Sequence, residues 1–164
     1  MTDLTAKLAS TSRVEMTQLV MPSDGNSLGT AFCGRVMQWI DLAAAMAAMR
    51  HARLPVATAS IDQLSFLAPV RIGQIAILQA QVTAVFTTSM EVGVEVLTED
   101  PGTGARRKCC DAYLTFVALD RDGRPVAVPP LLAGTDGERR READARVRRE
   151  SRLALRAALR GPGR

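Results

Sequence analysis

Hydrophobic and polar positions divide the chain into one long apolar segment followed by several alternating ones. The segment from Gly34 to about Arg50 reads GRVMQWIDLAAAMAAMR, has no internal Gly or Pro, and is rich in the helix formers Ala and Met. Its apolar residues extend almost all round the predicted helix, which is typical of a helix buried inside a domain. His51 is most simply a cap at the end of this helix, and Pro55 stops it.

Strand patterns lie on both sides of this helix. Residues 14–20 predict a short strand before it, and four longer segments after it carry β-branched residues with partial alternation. These segments are 56–70, 74–86, 89–99 and 107–120. Their short, turn-forming connections imply antiparallel neighbours. A helix that is apolar all round needs a sheet curved about it, so the predicted class is α+β.

A second helix is predicted over 136–160, rich in Arg, Glu and Ala. Its apolar stripe, formed by Leu153, Leu155 and Leu159, is thin, so we expect this helix to be peripheral and partly frayed. The predicted organisation is therefore one domain over residues 1–135 and an Arg-rich C-terminal helix and tail over 136–164.

Composition and charge narrow the function classes. The 164 residues are 47% hydrophobic, enough for one sizeable core. Residues 138–164 contain ten arginines and four acidic residues, whereas the rest contains eleven basic and thirteen acidic ones, so the net charge of +4 comes from the tail. A slightly acidic globular part argues against a nucleic-acid-binding fold. No apolar run reaches the ~18 residues of a membrane span.

The N-terminus and the cysteines indicate the compartment. The first fifteen residues, MTDLTAKLASTSRVE, lack the apolar stretch of a signal peptide. Cys33, Cys109 and Cys110 are odd in number and form no CxxC motif, which is typical of a reduced, cytoplasmic protein.

Three residues are candidates for chemistry. Asp41 interrupts the apolar run, and a buried carboxylate needs partners; it fits either a general base or nucleophile, or a structural group bonded to a backbone amide. Asn26, in the turn 22–29, fits either a local turn role or an amide that orients a ligand. Gly34 begins the helix, where N–H groups without intrahelical partners can stabilise an oxyanion.

The spacing of these residues resembles a pattern of the hotdog-fold acyl-CoA thioesterases, Asn-x-x-Gly-x-x-x-Gly-Gly-x-x-x-x-x-x-Asp. The matching residues are Asn26, Gly29, Cys33, Gly34 and Asp41. The similarity continues through 58-TASIDQLSFLAPVRIG-73, 88-TSMEVGVEV-96 and 115-TFVALDRDGRPVAVP-129, and so covers roughly residues 14–150. Cys33 departs from the pattern because it replaces the first Gly of the pair.

The resemblance implies a hotdog fold, in which a long antiparallel sheet wraps around a central helix. It also implies hydrolysis of acyl-CoA to free acid and coenzyme A. Asp41 would act as base or form a transient anhydride, with the Gly34 amide and Asn26 binding or orienting. The expectation includes no metal, no prosthetic group and no cofactor beyond the CoA of the substrate.

The resemblance further implies a homodimer with its sites at the subunit interface, assembled as a trimer of dimers. We expect each site to use Asn26 of one chain and Asp41 of the other. Seven residues separate Gly34 from Asp41, roughly 10 Å along a helix. One small carbonyl cannot touch both within a subunit, unless the loop folds the substrate along the helix.

Two segments are candidates for contacts with CoA. The first, which the resemblance implies, is formed by Thr87, Thr88 and Ser89. The second, suited to the 3′-phosphate, is formed by Arg106, Arg107 and Lys108. The alternatives are a simple turn for the first segment and a solvated hairpin end for the second.

Two rival functions share the expected fold. A hotdog enoyl-CoA hydratase usually needs a His near the carboxylate, and His51, the single His, lies ten residues past Asp41. One His also excludes a His-rich zinc site and leaves little room for a Ser–His–Asp triad. A non-catalytic acyl-CoA sensor is the other rival. Trp39 and Phe66 are expected in the core, and Cys33 is expected to be a small buried residue.

Overall fold

The predicted helices and strands form at nearly the positions that the sequence indicates. The computed structural model describes residues 4–160. Its helices are α1 (Cys33–Ala52) and α2 (Asp136–Arg160). Its longer strands are β2 (Val14–Leu19), β3 (Val56–Phe66), β4 (Ile75–Val85), β5 (Ser89–Glu99) and β6 (Arg106–Ala118). Two short strands that the sequence analysis did not predict, β1 (Lys7–Leu8) and β7 (Leu131–Leu132), pair in parallel.

The five longer strands form one antiparallel sheet in the order β2-β4-β5-β6-β3. Helix α1 packs on one face, called here the inner face. The helix buries Val36, Trp39, Ile40, Ala43, Ala44, Ala47 and Ala48. The four alanines let the helix approach the sheet closely, and inner-face residues such as Val92 and Leu114 complete the core. This is the expected hotdog arrangement.

Helix α1 is not buried all round, contrary to the sequence-based expectation. Leu42, Met46 and Met49 are 50%, 38% and 42% exposed on the side away from the sheet. One sheet covers only one side of a helix, so the opposite side stays open in a single chain. Asp41 is half-buried at the boundary between these two sides. It therefore does not lie inside the core.

The two aromatic residues expected in the core have different environments. Trp39 is buried, as predicted, but Phe66 is 45% exposed. Phe66 ends β3, which pairs with β6 on one side and with no described strand on the other. An edge strand has no neighbour to cover its side chains, so the prediction for Phe66 was wrong.

Helix α2 packs on the opposite, outer face of the sheet through arginines. Arg148 donates two hydrogen bonds to the Glu91 carboxylate, of 3.0 and 2.8 Å, and its guanidinium lies 3.6 Å from the centre of the Tyr113 ring. Thr83 Oγ1 donates to the same carboxylate at 2.7 Å. The predicted apolar stripe does not attach this helix, because Leu153, Leu155 and Leu159 are all exposed.

Helix α2 begins at Asp136, next to the predicted division at residue 135. The last part of the predicted tail, residues 161–164, lies outside the described residues. Among residues 4–160, neither helix combines the length and the hydropathy needed to span a membrane.

His51 is a buried link between α1 and the segment that precedes β7. Its Nε2 lies 2.8 Å from the carbonyl oxygen of Pro129, so Nε2–H donates that bond. Among residues 4–160, its buried Nδ1 has no hydrogen-bond partner. Arg53, in the left-handed conformation, closes the helix instead, so His51 does not act as the predicted cap. Burial lowers the pKa of His51 below 6.5; the bond to Pro129 opposes this, and the nearby Lys7 adds to it.

This environment predicts a loss of stability in mild acid. The folded chain favours neutral His51, whereas the unfolded chain takes up a proton as the pH falls through about 6.5. Stability from this residue is therefore complete above that pH and is lost below it. Urea unfolding should show a decrease of about 1 kcal/mol from pH 7.5 to 5.5 that is absent in His51→Gln. Equal pH dependence in both proteins would contradict the assignment.

Candidate active site

Asn26 organises the loop before α1. Its side-chain oxygen accepts hydrogen bonds from Leu28 N (2.9 Å), Thr30 N (3.2 Å) and Thr30 Oγ1 (3.2 Å). Its backbone N–H donates to the Thr30 carbonyl at 2.8 Å. Within the described chain its side-chain NH₂ group makes no hydrogen bond. Asn26 therefore has the local turn role, and its side-chain NH₂ group stays available as a donor.

The start of α1 presents free amide groups beside this loop. Phe32, the N-cap residue, offers no side-chain acceptor, and its carbonyl accepts from the amides of Arg35 and Val36 at 3.0 and 3.1 Å. In the described chain, the N–H groups of Cys33 and Gly34 have no partner. They lie at the positive end of the helix dipole. A side chain at Gly34 would meet no atom within 4 Å, so a ligand can approach this backbone.

A groove of about 410 Å³ joins the loop to the helix start. Its lining includes Asn26 and Cys33 from the loop and the helix start, and Phe66, Leu67 and Pro69 from the end of β3 and the segment after it. Cys33 is exposed, which corrects the expectation of a buried thiol, and its Sγ lies 3.7 Å from the Met37 sulfur. Asn26, Cys33 and Gly34 are called the Asn26 half-site below.

Asp41 is held by a residue to which the sequence analysis gave no role. Thr58, on β3, donates its hydroxyl proton to Asp41 Oδ1 at 2.8 Å. The pair, called the Asp41 half-site, is partly open to solvent. Thr58 is the first residue of the motif 58-TASIDQLSFLAPVRIG-73, so the family resemblance includes its position. The hydrogen bond between Thr58 and Asp41, which are 17 residues apart, was not predicted, because spacing along the chain does not reveal it.

The two half-sites lie apart within one chain. Asp41 does not line the groove at Asn26, whereas Phe66 does. Along α1, Gly34 and Asp41 are seven residues or about 10 Å apart, and along β3 Thr58 and Phe66 are eight residues or about 26 Å apart. A single chain therefore holds two separate parts of the expected constellation.

The two candidate CoA segments are also separated. The turn of Thr87 and Thr88 precedes β5, whereas Arg106 begins β6 opposite the far end of β5. About 33 Å of strand lies between them, so a single phosphate cannot contact both segments of one chain.

The partners of these segments differ as well. The carbonyls of Thr87 and Thr88 accept from the backbone N–H groups of Val128 and Ala118. Arg106 pairs with Glu99 at 2.6 Å and Lys108 pairs with Asp111 at 2.7 Å. Within the described residues Arg107 has no ion-pair partner. Of the three basic residues of this segment, it is the one whose charge is available to bind a phosphate.

Residues 4–160 contain no group of three or more His, Cys, Asp or Glu side chains that could hold a metal ion. The half-sites themselves offer the Asp41 carboxylate, the Asn26 amide, the Thr58 hydroxyl, the Cys33 thiol and two backbone N–H groups.

Comparison with known proteins identifies the family to which the chain belongs. A model of the thioesterase superfamily matches residues 28–105. The uncharacterized acyl-CoA thioester hydrolase YkhA of Bacillus subtilis is 42% identical over 127 residues, which are 77% of this chain and 74% of that protein. The chain belongs to the hotdog-fold acyl-CoA thioesterase family, as the sequence motifs predicted.

Solved structures agree closely with the fold. A hexameric acyl-CoA thioesterase in its apo form matches with a TM-score of 0.90 and 41% identity, over 94% of this chain and 99% of that chain. The acyl-CoA hydrolase of Staphylococcus aureus, solved with butyryl-CoA, CoA and CoA disulfide, matches with a TM-score of 0.88 and 37% identity, over 94% of each chain.

Proposed function

We propose that this protein hydrolyses acyl-CoA thioesters to free acids and CoA at a site shared by two subunits. The family and the CoA complexes of the Staphylococcus aureus hydrolase support the reaction class. Structures of that hydrolase also include forms with an Asn, an Asp or a Thr replaced by Ala. The half-sites of this chain offer the same three residue types in Asn26, Asp41 and Thr58.

The single observation that supports a shared site is that both half-sites lie along β3, an edge strand with one unpaired side. Thr58 and Phe66 lie four residues on either side of Asp62. An edge strand offers free backbone groups to a second strand, and two-fold symmetric contacts are the commonest way in which subunits pair. Antiparallel pairing of β3 with its copy, centred on Asp62, sets Thr58 opposite Phe66 of the partner subunit.

This pairing brings the Asp41 half-site of one protomer beside the Asn26 half-site of the partner. It also covers apolar side chains that are exposed in the single chain. Exposed apolar patches of this kind mark interfaces between proteins. The covered side chains are Leu42, Met46, Met49, Ile61, Phe66 and Leu67. The methionines, being flexible, suit the walls of an acyl-chain pocket.

The reaction then needs only groups from this chain and its partner. Asp41, oriented by Thr58, takes a proton from a water molecule, whose oxygen attacks the thioester carbonyl carbon. The Gly34 N–H and the free amide of Asn26 stabilise the oxyanion that forms. The tetrahedral intermediate collapses, the C–S bond breaks, and protonated Asp41 returns the proton to the departing CoA thiolate.

The remaining parts of the proposal concern binding and assembly. Thr87, Thr88 and Ser89 form one CoA contact. Arg106, Arg107 and Lys108 form the other, and because of their distance the two contacts belong to different subunits. The hexameric relative supports a trimer of dimers. No cofactor takes part beyond the CoA of the substrate. The three free thiols support a cytoplasmic location.

A thiol-release assay over acyl-CoA substrates of increasing chain length tests the reaction. We expect turnover for at least one chain length, with the acid and free CoA as products in equal amounts. Tight binding without thiol release would instead favour the sensor, and hydration of an enoyl-CoA without release would favour the hydratase.

Gly34→Ala is expected to separate activity from stability. The added methyl group occupies the open space where the thioester approaches the amide, so kcat/KM should fall about 10–100-fold. Ala suits a helix better than Gly, so the free energy of unfolding should stay level or rise by up to about 1 kcal/mol. Gly137→Ala, in the first turn of α2, is the matched control and should leave kcat/KM unchanged. An active Gly34→Ala enzyme would rule out this oxyanion site.

A further inference from the structure

A buried polar cluster on the outer face joins α2 to the edge strand behind the Asp41 half-site. Arg152 Nη1 donates to Asp62 Oδ2, to Thr115 Oγ1 and, at 3.1 Å, to Ser60 Oγ. Ser60 Oγ donates to Asp62 Oδ1 at 2.7 Å, and Thr115 Oγ1 donates to Asp62 Oδ2 at 2.8 Å. The side chain of Asp62 is only 5% exposed and that of Arg152 21%. These four residues are called the outer-face cluster.

The charges of Asp62 and Arg152 stabilise each other within this cluster. Burial opposes ionisation of Asp62, but the hydrogen bonds from Arg152, Ser60 and Thr115 outweigh it and lower the pKa of this carboxyl. Asp62 is therefore charged at neutral pH, and a buried charge keeps its partner. The Arg152 side chain therefore stays bonded to β3 and does not turn out into solvent.

The strand that the cluster holds carries two β-bulges. In the pairing of β3 with β6, Thr58 lies opposite Phe116 and Ser60 lies opposite Thr115, so Ala59 has no partner. A second irregularity leaves Asp62 without a partner, between Ile61 and Gln63. A bulge inserts one extra residue and changes the direction in which its neighbours point.

Because of the first bulge, the side chains of Thr58 and Ser60 point to opposite faces of the sheet. In a regular strand, residues two apart share a face, so Thr58 and Ser60 would point the same way. Here Thr58 bonds Asp41 on the inner face, whereas Ser60 bonds Arg152 on the outer face. Without the extra residue, only one of these two contacts can exist.

We propose that Arg152 is a positioning residue for the thioesterase reaction: by holding Ser60 and Asp62 to α2, it keeps the bulge at Ala59 and so aims Thr58 at Asp41. This inference rests on the proposed function. Arg152 lies across the sheet from Asp41 and does not touch the substrate. The ladder between β3 and β6 is interrupted at both bulges, so β3 depends on the outer-face cluster to fix its register.

Kinetics of Arg152→Ala test the proposal, with Arg156→Ala as the matched control. Arg156 lies one turn further along α2, is exposed, and has no ion pair among the described residues, so its loss removes the same charge and nothing else. We expect kcat to fall about 10–100-fold in Arg152→Ala with KM changed little, because a shifted Thr58 misplaces the catalytic group and not the substrate. Arg156→Ala should match the wild type, and Arg152→Lys should recover part of the lost kcat.

A double-mutant cycle separates positioning from a general loss of structure. If Arg152 acts through Thr58, then adding Arg152→Ala to Thr58→Ala lowers kcat no further. Multiplied effects of the two changes, or an unchanged kcat in folded Arg152→Ala, would overturn the proposal.

A crystal structure of Arg152→Ala gives a readout that needs no activity. We expect β3 to lose the bulge at Ala59 and Thr58 to lose its 2.8 Å contact with Asp41; an intact contact would reject the positioning role. If the wild type released no thiol from any acyl-CoA, the proposed reaction would fail, and this structure would still decide whether Arg152 controls Thr58. Should Arg152→Ala not fold, Arg152→Met, which also removes the charge and the donors, takes its place in both measurements.

Discussion

Asp41→Asn is expected to lower kcat for acyl-CoA hydrolysis by about 10²–10⁴-fold, the range for the loss of a general base. Asn keeps the shape of the side chain and still accepts the 2.8 Å hydrogen bond from Thr58. It cannot take a proton from water at neutral pH. Because Asp41 is half-buried and outside the core, the change should leave the fold and the KM for acyl-CoA close to those of the wild type.

The control for this change is Asp122→Asn, the same substitution in an exposed turn. Thiol release measured at saturating acyl-CoA should fall in Asp41→Asn alone, with the unfolding midpoints of all three proteins equal within error. If Asp41→Asn retained most of the wild-type kcat, the carboxylate would not be the base.

Arg148→Met is expected to cause the largest loss of stability, about 3–5 kcal/mol. The Glu91 side chain is 3% exposed, and Arg148 provides its charge partner. Removing the arginine leaves a buried carboxylate to which, within the described residues, the Thr83 hydroxyl is the one remaining side-chain donor. The contact with the Tyr113 ring is lost too. For a chain of this size the melting temperature should fall by about 6–20 °C.

Two further variants make this prediction specific. Arg146 pairs with Glu142 on the same helix, but its side chain is 55% exposed. Arg146→Met should therefore cost less than about 1 kcal/mol. Adding Glu91→Gln to Arg148→Met removes the unpaired charge and should restore part of the stability. Equal melting temperatures for Arg146→Met and Arg148→Met would show that the buried pair does not hold α2 to the sheet.

Most of the fold was predictable because its signals are local. The strand boundaries follow from alternation and from turn residues, and α2 was predicted at its observed bounds. The contacts of α2 were not predicted. Pattern reasoning treats Arg148 and Arg152 as solvated, because a charged residue is seldom buried without a partner, and their partners Glu91 and Asp62 are more than 50 residues away in the sequence.

The candidate site was predictable in its residue types and only partly in its geometry. Asn26, Gly34 and Asp41 were found through spacing and family resemblance. Thr58 was missed as a partner of Asp41, because its orientation depends on a β-bulge that no periodicity reveals. The exposure of Phe66 was missed for a related reason: alternation along β3 does not say that the strand lies at the edge of the sheet.

The most direct test of the account is complementation between two inactive variants. Asn26→Ala and Asp41→Asn are unfolded together in equal amounts, refolded and assayed for thiol release. If each site uses Asn26 of one subunit and Asp41 of the other, half of the dimers are mixed and each has one intact site, so about a quarter of wild-type activity returns. Activity no higher than that of the separately refolded variants, in a mixture shown to contain mixed dimers, would contradict the shared site.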